Sequence, residues 1–468
     1  MNWGYLVLLV CSVLLALQSS YSAALMLYAW QDDRKREKGL VPKTYKRPRI
    51  HFTILLPARH EEEVIQDTIQ RVVDLNYPRE LVQMLVVIEA GDHGTIAKVN
   101  QKLAELAAKG IHNVRLITFT DKPINKPHGL NIGLKNATGN VITIFDAEDE
   151  PHPDILQVVN TVITREFAPV VQCGVQLMNY KDRWFSALNV LEYFFWFKSR
   201  LHYHASAGSV PLGGNTVFVW KQLLDWLGGW DQYCLTEDAD AGIRLSAAGV
   251  PVRVIYEDEF VTKEETPPTV GQFVKQRTRW NQGFLQVLGK WDWLKLPTWK
   301  QRLLALYTLS SPLIQLLTLL YVPVSLWMMF FVKVPAWLAL ISTLPLYMMI
   351  VQLLISLAGL RQFTRAHGLK ASPLAYLRLV ITFLPYQILL GWGAVRACWR
   401  QLRGLNSWEK TLHVGAHRAA PVAPQSRPHV PAGRAPLGAF TAQFMLDIER
   451  RSEGARHEQA GLEEAKLG

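Results

Sequence analysis

Acidic residues crowd into one short stretch of the sequence, where Asp146, Glu148, Asp149 and Glu150 fill four of five consecutive positions. They follow directly on the apolar run VITIF, which is typical of a buried strand. Because like charges at this spacing repel each other and raise one another's pKa, a nearby cation is expected to stabilise them. Carboxylate oxygens suit Mg²⁺ or Mn²⁺, which take their remaining ligands from water and substrate phosphates. The alternative is a solvated acidic turn, since an isolated D-x-E pattern is common.

A second candidate site is the segment LTEDADAGIRLSAAG, residues 235–249. Thr236 is suited to cap a helix that starts here, and Glu237, Asp238 and Asp240 favour the positive end of that helix. This alone explains the residues structurally. The functional alternative is that a carboxylate at the helix start acts as a general base and takes a proton from a hydroxyl group.

A third candidate is QRTRWNQG, residues 276–283. On a helix, Gln276, Arg279 and Trp280 share one face, because residues three and four apart are neighbours. An amide, a guanidinium and an indole together suit a diphosphate and a stacked sugar. The alternative is an interfacial helix that lies along a membrane, with Arg279 at the lipid phosphates.

The elements that must position these residues alternate between strand and helix from about residue 45 to residue 268. The strands are continuous apolar runs, which favours a parallel sheet with helices on both faces. Ligands bind such sheets at the carboxyl ends of the strands, where Glu89 and the acidic stretch at 146–149 are expected. No G-x-G-x-x-G or P-loop motif follows the first strand, so the sequence does not indicate dinucleotide binding or ATP hydrolysis.

Four apolar stretches, residues 3–30, 309–331, 336–358 and 376–397, are long enough to cross a bilayer. The basic segment 32–49 follows the first stretch, so the positive-inside rule predicts that the soluble block is cytoplasmic. Attraction to anionic lipids accounts for the net charge of +11, and a nucleic-acid partner is not expected. The 4 cysteines are scattered and indicate neither a disulfide framework nor a zinc site.

The last apolar stretch raises a conflict of sidedness. Arg361 and Arg365 precede it, and Arg400 and Arg403 follow it, so both flanks are expected in the cytoplasm although one span separates them. Either this stretch is a hairpin bent at Pro385, or a further crossing lies elsewhere.

Taken together and in this order, five motifs resemble the membrane-integrated family 2 glycosyltransferases, which include the synthases of cellulose, hyaluronan, chitin and poly-N-acetylglucosamine. The motifs are LLPARHEEE, KPHGLNIGLKNATG, DAEDEP, LGGWDQYCLTEDADAGIRL and QRTRW. The resemblance implies an α/β catalytic domain of the GT-A (Rossmann-like) fold. It also implies a nucleotide-sugar donor, usually linked to uridine diphosphate, and a divalent metal ion, magnesium or manganese.

On the donor side, the resemblance places Ala58 and Glu61 near the nucleotide base and Lys126 near the diphosphate. Glu89 stands where the family usually has an aspartate that contacts uracil or ribose. Asp146 binds the donor through the metal. The metal ligands implied are Asp146 and Glu148, and Asp149 shares or replaces Glu148.

On the acceptor side, the resemblance makes Asp238 the catalytic base. Glu237, Gln276, Arg279 and Trp280 are expected to hold the diphosphate and the acceptor end. The implied reaction is a single in-line displacement that inverts the sugar linkage to β.

The resulting domain map has a transmembrane helix at 1–31, a catalytic domain at 45–268, an interfacial region with the Q-x-x-R-W motif at 269–300, transmembrane helices at 301–398 and a polar, partly disordered tail at 399–468. The expected function is growth of a β-linked polysaccharide at the plasma or inner membrane. One alternative is transfer of a single sugar to a membrane lipid, and another is an inactive scaffold. A homodimer or an export subunit is a possible partner, because few spans make an incomplete channel.

Overall fold

The computed structural model describes residues 3–30, 32–37, 39–410 and 418. Within these residues, one long helix precedes a mixed α/β domain, and further long helices follow it. Most of the tail predicted at 399–468 lies outside the described residues.

The strands are β1 (Phe52–Ala58), β2 (Val82–Glu89), β3 (Val114–Phe119), β4 (Val141–Ile144), β5 (Val170–Cys173), β6 (Val175–Leu177), β7 (Val217–Trp220), β8 (Val252–Ile255) and β9 (Thr262–Glu264). The helices up to the end of the sheet domain are α1 (Trp3–Leu27), α2 (Asp33–Glu37), α3 (Ile65–Val73), α4 (His93–Ala108), α5 (Lys126–Lys135), α6 (Ile155–Glu166), α7 (Ser186–Phe195), α8 (Leu201–Ala207), α9 (Lys221–Leu227) and α10 (Glu237–Ala247). The later helices are α11 (Val270–Gly289), α12 (Trp299–Leu309), α13 (Ser311–Phe331), α14 (Ala336–Ala366) and α15 (Pro373–Leu402).

The main sheet has the strand order β3-β2-β1-β4-β7-β5-β8. Strands β3, β2, β1 and β4 are parallel to one another and form what we call the parallel half. Strand β7 runs antiparallel to both β4 and β5, and β7, β5 and β8 form the mixed half. The predicted α/β class and GT-A arrangement are therefore confirmed, but the expectation of a wholly parallel sheet is wrong beyond β4. Strand β7 is as continuously apolar as its neighbours, so its composition did not reveal its direction.

Helix α5 packs closely against the parallel half and thereby fixes the position of Lys126 at its first turn. Asn125 caps this helix, since its side chain accepts a hydrogen bond from the backbone N–H of His128 at 3.0 Å. A Cβ atom at Gly133 would lie 2.8 Å from a methyl carbon of Leu55 on β1, so a larger residue here would have to displace the buried Leu55 side chain. The start of α5 is consequently held at the carboxyl edge of the sheet.

Helix α3 does not follow directly on β1. It starts at Ile65, and Glu61 lies in the preceding turn, where its carbonyl oxygen accepts hydrogen bonds from Val64 N and Ile65 N at 3.1 and 3.0 Å. His60 adopts a positive φ of 53°, which turns the chain sharply after β1. The turn carries Glu61 back toward the sheet edge instead of placing it on the helix surface.

Among the residues that the structure describes, four helices have the length and apolar composition to cross a membrane: α1, α13, α14 and α15. Helix α15 continues without interruption through Pro385, so the hairpin alternative for this stretch is wrong. An interior proline removes only one backbone hydrogen bond, and the helix accommodates it, as α13 and α14 accommodate Pro323 and Pro345.

Candidate active site

A cavity opens at the carboxyl edge of the parallel half, where β1, β2 and β4 end. Seven of the residues predicted from the sequence line it: Ala58, Glu61, Glu89, Lys126, Asp146, Glu148 and Arg279. Glu89 is the last residue of β2, and its side chain accepts a hydrogen bond from Gly91 N at 2.9 Å. The seven residues therefore come from five separate segments of the chain.

Lys126 occupies the centre of the candidate site. Its Nζ lies 2.5 Å from Asp146 Oδ1 and donates a hydrogen bond to the carbonyl oxygen of Gly214 at 3.1 Å. Burial lowers the pKa of the Lys126 ammonium, but Asp146 and the two carboxylates at the start of α10 raise this pKa by more. Lys126 is therefore a fixed positive charge that joins the two halves of the sheet.

Asp149 is buried behind the acidic loop and anchors it through hydrogen bonds. It has no exposed surface, and its carboxylate accepts hydrogen bonds from Asp146 N at 2.8 Å and from the Asn215 amide at 2.8 and 2.9 Å. Glu264 accepts a hydrogen bond from the same amide. Burial raises the pKa of Asp149 well above its usual range and that of Glu264 to about 8. A metal-binding role for Asp149 stays a prediction, and the contacts in hand are those of a residue that orients Asp146.

The carboxylates that face the cavity fit a hard divalent cation. Burial raises the pKa of Asp146, and burial together with the charge of Glu148 raises the pKa of Glu61 to about 8. Each of these groups would thus be stabilised as a carboxylate by an added positive charge. Asp146 and Glu148 offer the oxygen ligands that Mg²⁺ and Mn²⁺ prefer.

Glu237 and Asp238 form the first turn of α10 and line a smaller cavity beside the first one. Burial raises the pKa of Asp238, and burial with the neighbouring Asp238 charge raises the pKa of Glu237 to about 8. A Cβ atom at Gly214 would lie 3.2 Å from Asp238 Oδ2 and 3.6 Å from Lys126 Nζ. The missing side chain at Gly214 therefore leaves open the space between Asp238 and Lys126.

Helix α11 brings only part of its motif to the larger cavity. The Arg279 guanidinium lies over the Trp408 ring at 4.5 Å, and its charge lowers the pKa of both Asp146 and Asp238 against the larger effect of burial. Gln276 is buried at 8 % exposure. Trp280 packs on Tyr193, with ring centroids 6.2 Å apart. Neither Gln276 nor Trp280 lines either of these two cavities.

Two cavity residues that sequence reasoning missed come from the segment after α15. Trp408 and Lys410 line the larger cavity, and Lys410 Nζ lies 2.8 Å from Glu61 Oε1. Lys410 also donates to the carbonyl oxygen of His60, 350 positions earlier in the chain, at 2.7 Å. No spacing rule connects positions so far apart, and a tryptophan among polar residues was the sole local signal.

Asn215 and Glu264 were also missed. They stand in a loop before β7 and at the end of β9, and each acts through Asp149 instead of lining the larger cavity. Only the folded chain brings these three side chains together.

Comparison with known proteins supplies a family for this chain. The family model described as "Glycosyltransferase like family 2" matches residues 48–283. A beta-monoglucosyldiacylglycerol synthase of Nostoc sp. is 28% identical over 244 residues, which is 51% of this chain and 50% of the relative. A poly-beta-1,6-N-acetyl-D-glucosamine synthase of Staphylococcus epidermidis is 25% identical over 289 residues, covering 60% of this chain and 65% of the relative.

Among solved structures, a mannosyltransferase from Pyrobaculum calidifontis in complex with GDP-Man and Mn²⁺ is 19% identical, with a TM-score of 0.49, and the match covers 85% of this chain and 99% of that one. The chain spans about half the length of the first curated relatives that it matches.

Proposed function

The chain belongs to the glycosyltransferase-like family 2, and from this premise we propose that it transfers a sugar from a nucleotide-diphosphate donor to a hydroxyl group at a membrane. The observation that carries the proposal is the position of Lys126. Its ammonium contacts Asp146 at the larger cavity and is stabilised by Glu237 and Asp238 at the smaller one. This position would bring a leaving diphosphate next to the proposed general base.

The larger cavity is proposed to bind the nucleotide sugar. Ala58, Glu61 and Glu89 lie at the end that suits the nucleoside, and Lys126 and Arg279 supply positive charge for the diphosphate. We expect a uridine nucleotide on the sequence resemblance. Asp146 and Glu148 would hold Mg²⁺ or Mn²⁺, which when bound neutralises charge on the departing diphosphate.

The chemical step is proposed to be a single displacement. Asp238 takes the proton from the acceptor hydroxyl, whose oxygen then forms a bond to the anomeric carbon. The bond from that carbon to the diphosphate oxygen breaks, and the electron pair leaves with the diphosphate. Attack from the opposite side inverts the configuration and makes a β linkage. A base whose pKa burial has raised toward the operating pH is suited to this proton transfer.

The proposed acceptor is a growing β-linked polysaccharide. Similarity to a poly-N-acetylglucosamine synthase and the apolar helices on both sides of the catalytic domain support it. A second subunit, either another copy of this chain or an export protein, would then complete the route across the membrane.

A membrane lipid is the second candidate acceptor. Similarity to a glucosyldiacylglycerol synthase supports it, as does the packing of α11. This helix carries Arg279 and contacts α13 through a hydrogen bond from Asn281 to Gln315 at 3.1 Å, so the site adjoins apolar helices directly. An inactive scaffold is not favoured, because Asp146, Asp238 and Arg279 are all present and converge.

The catalytic domain is proposed to face the cytoplasm of a plasma or inner membrane. The basic segment 32–49 between α1 and the domain supports this orientation under the positive-inside rule.

The test is turnover of candidate donors by the purified full chain in nanodiscs. UDP-glucose, UDP-N-acetylglucosamine and GDP-mannose are each supplied with Mg²⁺ or Mn²⁺, and release of nucleotide diphosphate is measured. We expect metal-dependent release with one donor, and a loss of about 10²- to 10⁴-fold in the Asp238→Asn variant, which is the usual contribution of a general base.

The matched control is Asp225→Asn on α9, which removes an exposed carboxylate and is expected to leave turnover unchanged. Equal activity of the two variants would contradict the assignment of Asp238. Product size then separates a polymer from a glycolipid that carries one sugar.

A further inference from the structure

We propose that α15 lies flat in the membrane surface on the side of the catalytic domain, with its exposed face in lipid, and does not cross the bilayer. The proposal concerns the attachment of the protein to the membrane and does not depend on the reaction that it catalyses.

Both ends of α15 contact the catalytic domain. Near its start, Arg378 donates a hydrogen bond to the carbonyl oxygen of Lys181 at 3.1 Å, and Tyr180 OH donates to that of Lys370 at 2.7 Å. Near its end, Arg400 Nε donates to Gln282 Oε1 at 2.9 Å. The start of α15 thus contacts the catalytic domain itself, and its end contacts α11, which packs on that domain.

The middle of the helix contacts the same body. The Tyr386 ring packs on Phe273 of α11 with centroids 5.5 Å apart, and the Tyr386 hydroxyl accepts a hydrogen bond from Arg277 at 3.4 Å. Leu379, Phe383 and Leu390 join the buried apolar cluster around α7. The helix is consequently in contact with the domain along its length.

These contacts are incompatible with a crossing. Arg378 and Arg400 are 22 positions apart, which is roughly 33 Å along a helix at 1.5 Å per residue, about the thickness of the hydrocarbon core. A crossing helix would place one of them on the far side of the membrane. Gln282, which binds Arg400, adjoins Gly283, where a Cβ atom would lie 2.5 Å from Thr236 at the start of α10. The end of α15 is therefore level with the candidate active site.

The exposed face of α15 has the composition that lipid requires. One stripe of apolar side chains, which we call the lipid stripe, recurs every three or four positions from residue 374 to residue 392 and resumes at residue 399. It consists of Leu374, Leu377, Ile381, Leu384, Ile388, Trp392, Trp399 and Leu402, all exposed by between 48% and 87%. The opposite face is buried against the domain. A helix with one apolar face, tryptophans within it and arginines at its margins is typical of the lipid interface.

The surrounding helices continue this surface. Gly391 packs so closely on α13 that a Cβ atom there would lie 2.8 Å from that of Leu319. Because α13 has the length and composition of a membrane span, the lipid stripe extends an apolar surface that already faces the bilayer.

The proposal resolves the conflict of sidedness that the sequence raised. With three crossings, by α1, α13 and α14, the flanks of α15 lie on the same side as the catalytic domain. The basic residues Arg361, Arg365, Arg400 and Arg403 then all face that side, as the positive-inside rule requires.

The test measures the depth of single spin labels in the full chain, reconstituted in bilayers. Cys11→Ser and Cys398→Ala remove the two partly exposed thiols, and the buried Cys173 and Cys234 remain. Labels replace exposed residues at both ends and the middle of two helices: Leu377, Ile388 and Trp399 on α15, and Leu340, Tyr347 and Leu354 on α14 as the matched control.

We expect the three α15 labels at one shallow depth, within about 5 Å of each other and about 5–10 Å below the headgroups. On α14, the Tyr347 label is expected to be deeper than the other two by roughly 10 Å, from seven residues at 1.5 Å each. An Ile388 label that is deeper than both Leu377 and Trp399 labels by this amount would overturn the proposal.

A second measurement reads sidedness without relying on depth. Single cysteines at Leu405, at Lys109 in the catalytic domain and at Lys333 between α13 and α14 are treated with a membrane-impermeant maleimide from each side. Leu405→Cys and Lys109→Cys are expected to react from one side and Lys333→Cys from the other. Reaction of Leu405→Cys from the same side as Lys333→Cys would equally overturn the proposal.

Discussion

The two halves of the sheet build their parts of the site in different ways. In the parallel half, residues come directly from strand ends, as Ala58, Glu89 and Asp146 do after β1, β2 and β4. In the mixed half, the base candidate Asp238 comes from a helix start, and Asn215 comes from the loop before an antiparallel strand. The comparison teaches that strand ends supply residues of the parallel half directly, whereas those of the mixed half come from connecting segments whose position depends on long-range packing.

The halves also differ in how they stabilise negative charge. Asp146 and Glu148 of the parallel half face a cavity that suits a cation. Glu237 and Asp238 of the mixed half are stabilised by Lys126 and Arg279 and by the start of their helix. Lys126 is the residue that both halves share.

Among the variants that compare the two halves, Lys126→Met is expected to have the largest effect, because it removes positive charge from both halves at once. Turnover should fall by about 10²- to 10³-fold, the usual cost of losing one group that stabilises transition-state charge. Steady-state kinetics with the identified donor measure it. The control is Lys109→Met, which makes the same substitution at an exposed lysine that does not line the larger cavity. Unchanged turnover in Lys126→Met would show that the halves work independently.

Glu148→Gln and Asp149→Asn separate the cavity residue from the buried one within the parallel half. Glu148→Gln should weaken Mn²⁺ binding by at least about 10-fold, since disturbing even the outer partners of metal ligands costs that much. Asp149→Asn should instead lower the melting temperature by several degrees. Both carboxylate oxygens accept from the Asn215 amide, so the NH₂ group that replaces one of them would face another donor, and a buried unsatisfied group costs about 1–3 kcal/mol.

Metal titration and thermal melting of both variants distinguish these roles. If Asp149→Asn loses metal affinity without losing stability, Asp149 is a ligand, and the assignment from its contacts is wrong.

Gly214→Ala probes the mixed half at the gap between Asp238 and Lys126. A methyl group 3.2 Å from Asp238 Oδ2 must displace that carboxylate by a few tenths of an ångström. We expect kcat to fall by about 10-fold, because small misplacements of reacting groups are costly, while metal affinity stays constant. Gly289→Ala, with open space around the new methyl group, should leave kcat unchanged. A loss of metal affinity in Gly214→Ala would place this glycine with the parallel half instead.

The pH dependence of activity tests the carboxylates of the mixed half, and it is expected to show a smaller effect than the substitutions above. Burial raises the pKa of Asp238 and brings that of Glu237 to about 8, and the base works only when deprotonated. Activity should therefore rise with pH through a range above the usual one for an aspartate, since the raised pKa of Asp238 delays formation of the base. Glu237→Gln should move the profile to lower pH by removing a neighbouring negative charge. Activity that does not change between pH 6 and pH 9 would contradict the raised pKa values of Asp238 and Glu237.

The stability of the metal-free chain should fall as the pH rises, whereas activity should increase. A carboxyl whose pKa is higher in the folded than in the unfolded protein adds stability at low pH, and this contribution is lost as the pH rises through the folded value. Glu61 and Glu237, both with a pKa of about 8, should thus lower the melting temperature between pH 5 and pH 8. Melting curves across this range provide the measurement.

Much of the parallel half, and the base candidate Asp238 of the mixed half, could be predicted from the sequence. Continuous apolar runs located β1 to β4, and the motifs singled out Lys126, Asp146 and Asp238, which the structure brings together at one edge. Their individual roles stay predictions. Periodicity and residue type were sufficient here because each signal is contained within a few neighbouring positions.

The remainder could not be predicted, for physical reasons that differ from case to case. The direction of β7 leaves no trace in four apolar residues. Asn215 donates a hydrogen bond to the buried carboxylate of Asp149, which lies 66 positions earlier in the chain. Trp408 and Lys410 reach the cavity because α15 runs along the domain, and apolar composition alone did not distinguish that path from a crossing.

The position of Trp408 and Lys410 has a consequence for how the protein is made. The ribosome completes the sheet domain well before it adds these two residues, which close one side of the larger cavity. Translation must first deliver α13, α14 and α15 to the bilayer. A nascent chain therefore has a folded sheet but an unfinished larger cavity until α15 has emerged, so that this cavity is completed only after the membrane-associated helices have been synthesised.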